Sequence, residues 1–302
     1  MKTKKQNPAQ YEWGPFPFGD GERIFDIRYD PVFKAVFTKD TSTSRGALSD
    51  LISTLIGRTV AVETITANEP PINDLRQKYI RFDVSCRTKE GELVNVEMSF
   101  NPGADELARL EYYTSRLFIG QDIHGKDKSY DDLKETYQIA ILAKEKFFPD
   151  EELIHEFLYY DPKRRVFYGG KTKIITVELI KTKPVVGKPV EKMTDEELWA
   201  VFFQYLTDEG KRAKINKVIN RKEGIAMAVK TMTGFTQNEI EYIRKTSLLK
   251  AELDYQSGMT NAKREGLKEG LEKGLKKGHK EILEFFEQGL SIDEIKERLK
   301  NN

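Results

Sequence analysis

The chain has 302 residues, and its 50 Lys and Arg against 49 Asp and Glu leave a formal charge of +1. This balance excludes a strongly basic coat protein for nucleic acid and leaves any such contact to local patches. A hydrophobic fraction of 38%, with 17 Phe and 13 Tyr, is enough to build a core, and a single cysteine, Cys86, excludes a disulfide framework or a Cys-rich zinc site.

Residues 1 to 20 are a tail beaded with Tyr11, Trp13, Phe16 and Phe18. Its polar start carries no apolar run of the signal-peptide or membrane-span kind, and a cytoplasmic protein is expected. Asp30-Pro31 reads as a helix N-cap followed by proline at the first helical position. From Ala47 to Ile56 the apolar residues Leu48, Leu51, Ile52, Leu55 and Ile56 recur at helical spacing, and Gly57 marks a stop. Val60 to Ala67 is rich in β-branched residues and predicts a strand.

Two alternating runs follow. In Tyr79 to Arg87, Ile80, Phe82, Val84 and Cys86 alternate with Arg81, Asp83, Ser85 and Arg87. In the next run Val94, Val96, Met98 and Phe100 alternate with Asn95, Glu97 and Ser99. Period two predicts a pair of half-buried strands, with Lys89-Glu90-Gly91 as a three-residue hairpin loop and Cys86 as a core thiol. Centring the hairpin on Glu90 sets Asp83 opposite Glu97 on the polar face. Like charges directly across a sheet repel, and a hard divalent cation would remove the objection. The other reading is an ordinary solvated hairpin face, because a slip of one residue flips every side chain.

Residues 104 to 121 form a predicted helix with Leu107, Leu110, Tyr113, Leu117 and Gln121 on one side. Tyr137 to Lys144 and Val166 to Lys181 read as strands separated by Glu151 to Tyr159, which gives an α/β domain with a mixed sheet. Lys163, Arg164, Arg165, Lys171 and Lys173 cluster around a hairpin, either as a solvated turn or as a phosphate contact. His124, His155 and His279 show no metal-ligand spacing.

The prolines and glycine between Lys181 and Pro189 mark the expected domain boundary. Beyond it the pattern is helical: Trp199, Phe202, Phe203 and Leu206, then Ile225, Met227 and Val229, then Asn238 to Leu253. The expected division is a tail at 1–20, an α/β domain at 21–185, a helical region at 190–260 and a terminal segment at 261–302. In that last segment Gly266, Gly270, Gly274 and Gly278 recur every four residues among Glu, Lys and Leu. Each interior glycine costs about 0.8–1.0 kcal/mol against alanine. The ladder therefore reads as a docking or self-association helix, or as a partly helical spacer. Gly289 ends it, and Ser291 to Glu294 matches a capping box that opens a last helix, Ile292 to Leu299. Ile282–Phe286 with that helix is similar to half of a helix-turn-helix.

The order of these motifs resembles the PD-(D/E)XK nuclease family transposases, the recombination-promoting nuclease group. The resemblance begins at Asp30-Pro31-Val32-Phe33-Lys34-Ala35-Val36-Phe37 and continues through Phe82-Asp83-Val84 and Asn95-Val96-Glu97-Met98. Arg109, Tyr112-Tyr113 and Ser115-Arg116-Leu117 follow, then Gln121, Gly125, Tyr130, Val177-Glu178-Leu179 and the glycine ladder. It implies a restriction-endonuclease-like core with a mixed sheet, followed by an all-helical C-terminal region. It also implies a DNA endonuclease using Mg2+, or Mn2+, in a setting of recombination or mobile elements. Asp83 and Glu97 would hold the metal, with the backbone carbonyl of Met98 and Asp30 as further ligands. One departure stands out: where the family has Glu-X-Gln or Glu-X-Lys, this chain has Glu97-Met98-Ser99. Ser99 is short and uncharged, so Lys34 or Gln121 would have to replace the missing group. Otherwise the chain is a DNA-binding or oligomerising module that has lost turnover. An RNA-cleaving nuclease is a further alternative.

Overall fold

The computed structural model describes residues 25–66, 81–121, 123 and 126–300. The aromatic tail at 1 to 20, Tyr79 and Ile80 of the first hairpin strand, and His124 and Gly125 lie outside the described residues. Two compact units divide the chain, one reaching to Ile243 and one starting at Arg244.

The first unit opens with α1 (Asp30–Phe37) and α2 (Ser42–Ile56), and Gly57 closes α2 in the left-handed conformation at φ 78°. Strands β1 (Val62–Ile65), β2 (Val84–Thr88) and β3 (Leu93–Ser99) follow, then α3 (Glu106–Ile119) and β4 (Thr136–Leu142). Next come β5 (Ile154–Phe157), β6 (Tyr160–Asp161), β7 (Val166–Phe167) and β8 (Thr172–Glu178). Six of these form a mixed sheet in the order β1-β2-β3-β4-β8-β5, and β6 pairs with β7 as a separate small arm. The β3–β4 and β4–β8 pairs are parallel; the other pairs in the sheet are antiparallel. The architecture is the expected α/β fold with a helical C-terminal region.

Two strand expectations change. The run Val166 to Lys181 is broken at Gly169, whose φ of 69° turns the chain out of β7 before β8 begins. Beyond β8, Leu179–Thr182 is a short 3-10 turn. The segment expected only to separate two strands holds β5, an edge strand on β8.

Period-two alternation sends Val84, Cys86, Val94, Val96 and Met98 to one face, where they pack with Phe33 and Phe37 of α1 and Leu48, Leu51 and Ile52 of α2. Burial pushes the Cys86 thiol up to about 12. The other face lies under α3, whose Leu110 packs on Ala140 and Leu142. Helices α4 (Asp195–Tyr205), α5 (Arg212–Arg221) and α6 (Glu223–Thr233) share the first core. Trp199 and Phe203 lie 6.2 and 6.1 Å from the rings of Phe37 and Phe33, and Trp199 Nε1 donates to Asp50 Oδ1 at 2.8 Å. The proline-containing segment from Lys181 to Pro189 thus connects two parts of one core. Helix α5 escaped the sequence pattern because only Ile215, Val218 and Ile219 are buried in a run rich in Lys, Arg and Asn.

Helix α7 (Gln237–Glu287) begins in the first unit, where Ile240 and Ile243 are buried. The helix expected at Asn238 and the glycine ladder are one continuous element. In the second unit Lys273–Glu269 and Lys276–Glu272 ion pairs run along it at 3.1 and 2.8 Å. A Cβ added at any of the four ladder glycines would meet nothing within 4 Å. Gly289 stops the helix at φ 76°, and Ser291 with Glu294 caps α8 (Ile292–Lys300). Among the described residues no helix is long and apolar enough to cross a membrane.

Candidate active site

The hairpin loop is the three-residue one the sequence predicts: Thr88 N–H donates to the Glu92 carbonyl, and Gly91 takes φ 86°. Val84 pairs with Val96, so the next position along the ladder sets Asp83 against Glu97. Each side chain also reaches the other strand's backbone. The Asp83 amide donates to Glu97 Oε1 at 3.1 Å, and the Met98 amide donates to Asp83 Oδ2 at 3.0 Å. The face that carries them is not solvated. Asp83 is 8% exposed and Glu97 2%, and Asn95 and Gln138 beside them are fully buried.

Burial is the first reason both carboxyls titrate high. It raises Glu97, against the opposing pull of Arg109 and of the Asn95 side-chain amide. It raises Asp83 well above the carboxylate range, reinforced by the charges of Glu97 and Asp30 and opposed by Lys34. Asp30 is the first residue of α1 rather than its cap, which is Tyr29. Its carboxyl meets Lys34 Nζ at 2.8 Å, and the same Nζ reaches Asp83, so one ammonium joins the two acids.

Two basic side chains neutralise the rest. Lys34 Nζ lies 3.1 Å from Asp83 Oδ1; burial pulls its pKa down, but Asp83 and Asp30 outweigh that and hold it above its ordinary value. It is thus a cation at neutral pH, not a base. Arg109, from the first turn of α3, reaches Glu97 Oε2 at 3.5 Å. Two bonds to Glu106, at 2.6 and 3.2 Å, fix its guanidinium, which lies 5.1 Å from the Tyr113 ring centre. Asn95 Nδ2 donates to both Glu97 Oε1 and Gln138 Oε1 at 2.9 Å. Sequence reasoning gave Arg109 and Asn95 no role and missed Glu106 and Gln138. The i,i+3 spacing of Glu106 and Arg109 on a helix was the available signal.

Other expected residues go elsewhere. Gln121 does not reach the site: it exchanges hydrogen bonds with the Lys134 backbone, at 2.8 and 3.0 Å, before the start of β4. Glu97 is level with Ala140, four residues further along β4 than Thr136, a displacement of about 13 Å. Ser99 lies at the end of β3 on the face of Glu97, half-buried. Glu178 sits on β8, where its carboxylate accepts from Phe147 and Phe148 and pairs with Lys181 at 2.5 Å. Of the basic cluster, Lys171 Nζ donates to the Leu133 carbonyl and Lys173 Nζ to Glu135, both internal partners. Lys163, Arg164 and Arg165 are exposed on the β6–β7 turn.

Among the described residues no set of three or more His, Cys, Asp or Glu side chains is arranged as a ready metal cage. The donor chemistry still fits a hard cation of low protein-ligand demand. Mg2+ takes one or two carboxylates and fills its shell with water and phosphate oxygen. Here Asp30, Asp83 and Glu97 gather in a buried setting where added positive charge is favourable.

A carboxyl whose folded pKa exceeds its unfolded one binds more protons when folded. Its contribution to stability is intact below the ordinary carboxylate range and is lost as pH rises through the folded value. Asp83→Asn keeps an acceptor for the Met98 amide without the charge. In chelator, thermal melts followed by circular dichroism should place this variant a few degrees above wild type at pH 8, with the gap closing towards pH 4. A variant that melts below wild type at pH 8 would contradict this electrostatic account.

Residues 27–262, well over half of the chain, match the family model described as PD-(D/E)XK nuclease family transposase. No curated protein and no solved structure matches the chain.

Proposed function

Because this chain belongs to the PD-(D/E)XK nuclease family transposases, we propose that it is a divalent-metal-dependent endonuclease of DNA. The observation that carries the reading is the buried, facing pair Asp83 and Glu97, at 8% and 2% exposure, with Asp30 joined to Asp83 through Lys34. Asp83 and Glu97 would hold Mg2+ or Mn2+, with the Met98 carbonyl and Asp30 as further oxygen donors. Such an ion supplies an activated water and charge stabilisation at the phosphate. Arg109 keeps the Glu97 carboxylate turned towards Asp83. Lys34, permanently charged and adjacent, takes the place that Ser99 leaves vacant and faces the phosphate. The family description suggests recombination or mobile-element biology; strand transfer is a separate reaction and forms no part of the proposal.

Ser99 favours a second reading, a DNA-binding module that retains the nuclease fold without turnover. Cleavage of supercoiled plasmid in Mg2+ separates the two. Under the first reading wild type nicks, Ser99→Gln changes the rate little, and Lys34→Met lowers it about 100- to 1,000-fold, the cost of losing a charge-stabilising group. Inert wild type and an active Ser99→Gln would establish the second. Equal rates for wild type and Lys34→Met would remove Lys34 from the reaction.

The ladder helix is proposed to self-associate, since its glycine positions are open to a second backbone. Light scattering of the full chain should show an oligomer that Gly270→Leu with Gly274→Leu dissociates; an unchanged mass would reject the assignment.

A further inference from the structure

A groove of about 880 Å3 runs along the other side of α3 from Arg109. Leu107, Leu110 and Thr114 of α3 form one wall, and Phe157, Tyr159 and Tyr168 form the other. The second wall leads into the small β6–β7 arm, whose apolar surface is turned outward. Tyr168 is 80% exposed, Phe167 66% and Tyr159 55%. So many uncovered aromatic rings on a two-stranded arm bring no folding benefit and mark a contact surface. Tyr159 and Tyr168 stand edge to face, 6.0 Å apart. Gly170 lies so close beneath Tyr159 that a Cβ there would fall 2.5 Å from the ring.

The chemistry around the aromatics is specific. At the tip of the arm Lys163, Arg164 and Arg165 are consecutive and exposed. The local acid, Asp161, is occupied by the amides of Lys163 and Arg164 and by the Arg164 guanidinium, at 2.9, 3.2 and 3.0 Å. Glu111 is the sole acidic residue among the described residues lining the groove. At the floor the buried Thr176 hydroxyl has no hydrogen-bond partner among the described residues. Thr176 pairs with Ala140, which pairs with Glu97, so the floor and the acidic site share one row of the sheet. Two strand spacings separate them, about 10 Å.

We propose that this groove and arm form a subsite for unpaired nucleotides of a DNA strand, with bases stacked on Tyr159 and Tyr168 and phosphates met by Lys163, Arg164 and Arg165. Flat apolar rings next to cationic side chains are the combination that binds single strands: stacking accepts any base, and the cations follow the backbone. A duplex, whose bases are already stacked on each other, cannot use the rings. The subsite deepens the nuclease reading and rests on it for DNA as the ligand. It would hold distorted or single-stranded DNA across α3 from Asp83 and Glu97, about 10 Å away along the sheet.

The test is fluorescence anisotropy of fluorescein-labelled oligothymidylate with the full chain in EDTA, alongside a labelled duplex. Wild type should bind the single strand more tightly than the duplex. Tyr159→Ala with Tyr168→Ala should weaken single-strand binding at least about tenfold, with little change for the duplex. Gly170→Ala, which displaces Tyr159 without removing a ring, should move affinity the same way. Replacing Lys163, Arg164 and Arg165 by Ala should flatten the dependence of single-strand binding on salt. The side chains of the arm are exposed, and an unchanged melting temperature checks that each variant is folded. Because no metal is present, a protein that never cleaves can still pass, so failure of the nuclease reading is distinguishable from failure of this one. Equal single-strand affinity in wild type and the double variant would overturn the proposal and leave the groove to an apolar peptide or to residues 1 to 24. Equal losses for single strand and duplex would overturn it too, since the arm would then read backbone alone.

Discussion

Asp83→Ala and Glu97→Ala are each expected to lower metal-dependent plasmid cleavage by more than about 100-fold, beyond what loss of a metal's outer partner costs. The two losses arise differently. Asp83→Ala removes a candidate ligand and the partner of Lys34 and of the Met98 amide. Glu97→Ala also leaves Arg109 and Asn95 without their shared acceptor in a buried setting, so it should destabilise the fold as well as the reaction. Glu97→Gln preserves the volume and isolates the charge; it should be as inactive as Glu97→Ala while melting closer to wild type. Plasmid nicking assayed beside thermal melts checks both statements. Activity within about tenfold of wild type in a folded Glu97→Gln would mean that the carboxylate is not a ligand.

The second large effect is on stability. Trp199 is buried in a ring cluster, 5.4 Å from Phe203 and 6.2 Å from Phe37, and its indole N–H is satisfied by Asp50 of α2. Trp199→Ala leaves a cavity and removes one of the partners of Asp50, which keeps Lys222, at a cost of about 3–5 kcal/mol. For a unit of this size the melting temperature should fall by roughly 6–20 °C. The sheet and α4 to α6 should melt in one transition, because their side chains fill a single core. A separate low-temperature transition confined to helical signal would show instead that residues 195–233 fold as an independent body.

That experiment bears on what the sequence could and could not reveal. The hairpin was legible because strand alternation and a glycine-ended loop are local signals; together they give the register that sets Asp83 against Glu97. The burial of its polar face was not legible. It depends on α3 lying over the strands, and no local pattern shows that Glu106 aims Arg109 at Glu97. Asp-Pro reads as a cap on local grounds, and only the family resemblance set Asp30 beside the pair, where Lys34 joins it to Asp83. Gln121 fell on the correct side of its helix but at the wrong end, since helical periodicity gives direction without depth. At Lys181 to Pro189 the prolines and glycine signal a break in regular structure, and here that break lies inside one core. Trp199 and Phe203 meet the rings of Phe37 and Phe33, contacts too long-range in sequence to leave a local signal.

The site gains its character from a conflict between burial and charge. Asp30, Asp83 and Glu97 converge where carboxylates are costly, and Lys34 and Arg109 contain that cost. A protein selected for stability alone would have placed a neutral side chain at Asp83. Retaining the charge makes physical sense when a cation binds there.

Titration with Mn2+ followed by electron paramagnetic resonance tests that binding most directly. At pH 8 wild type should sequester Mn2+ stoichiometrically with the chain, Mg2+ should displace it, and a folded Asp83→Asn, Glu97→Gln variant should bind none. Undiminished Mn2+ binding in that variant, or no binding by folded wild type, would contradict the assignment of Asp83 and Glu97 as a cation site.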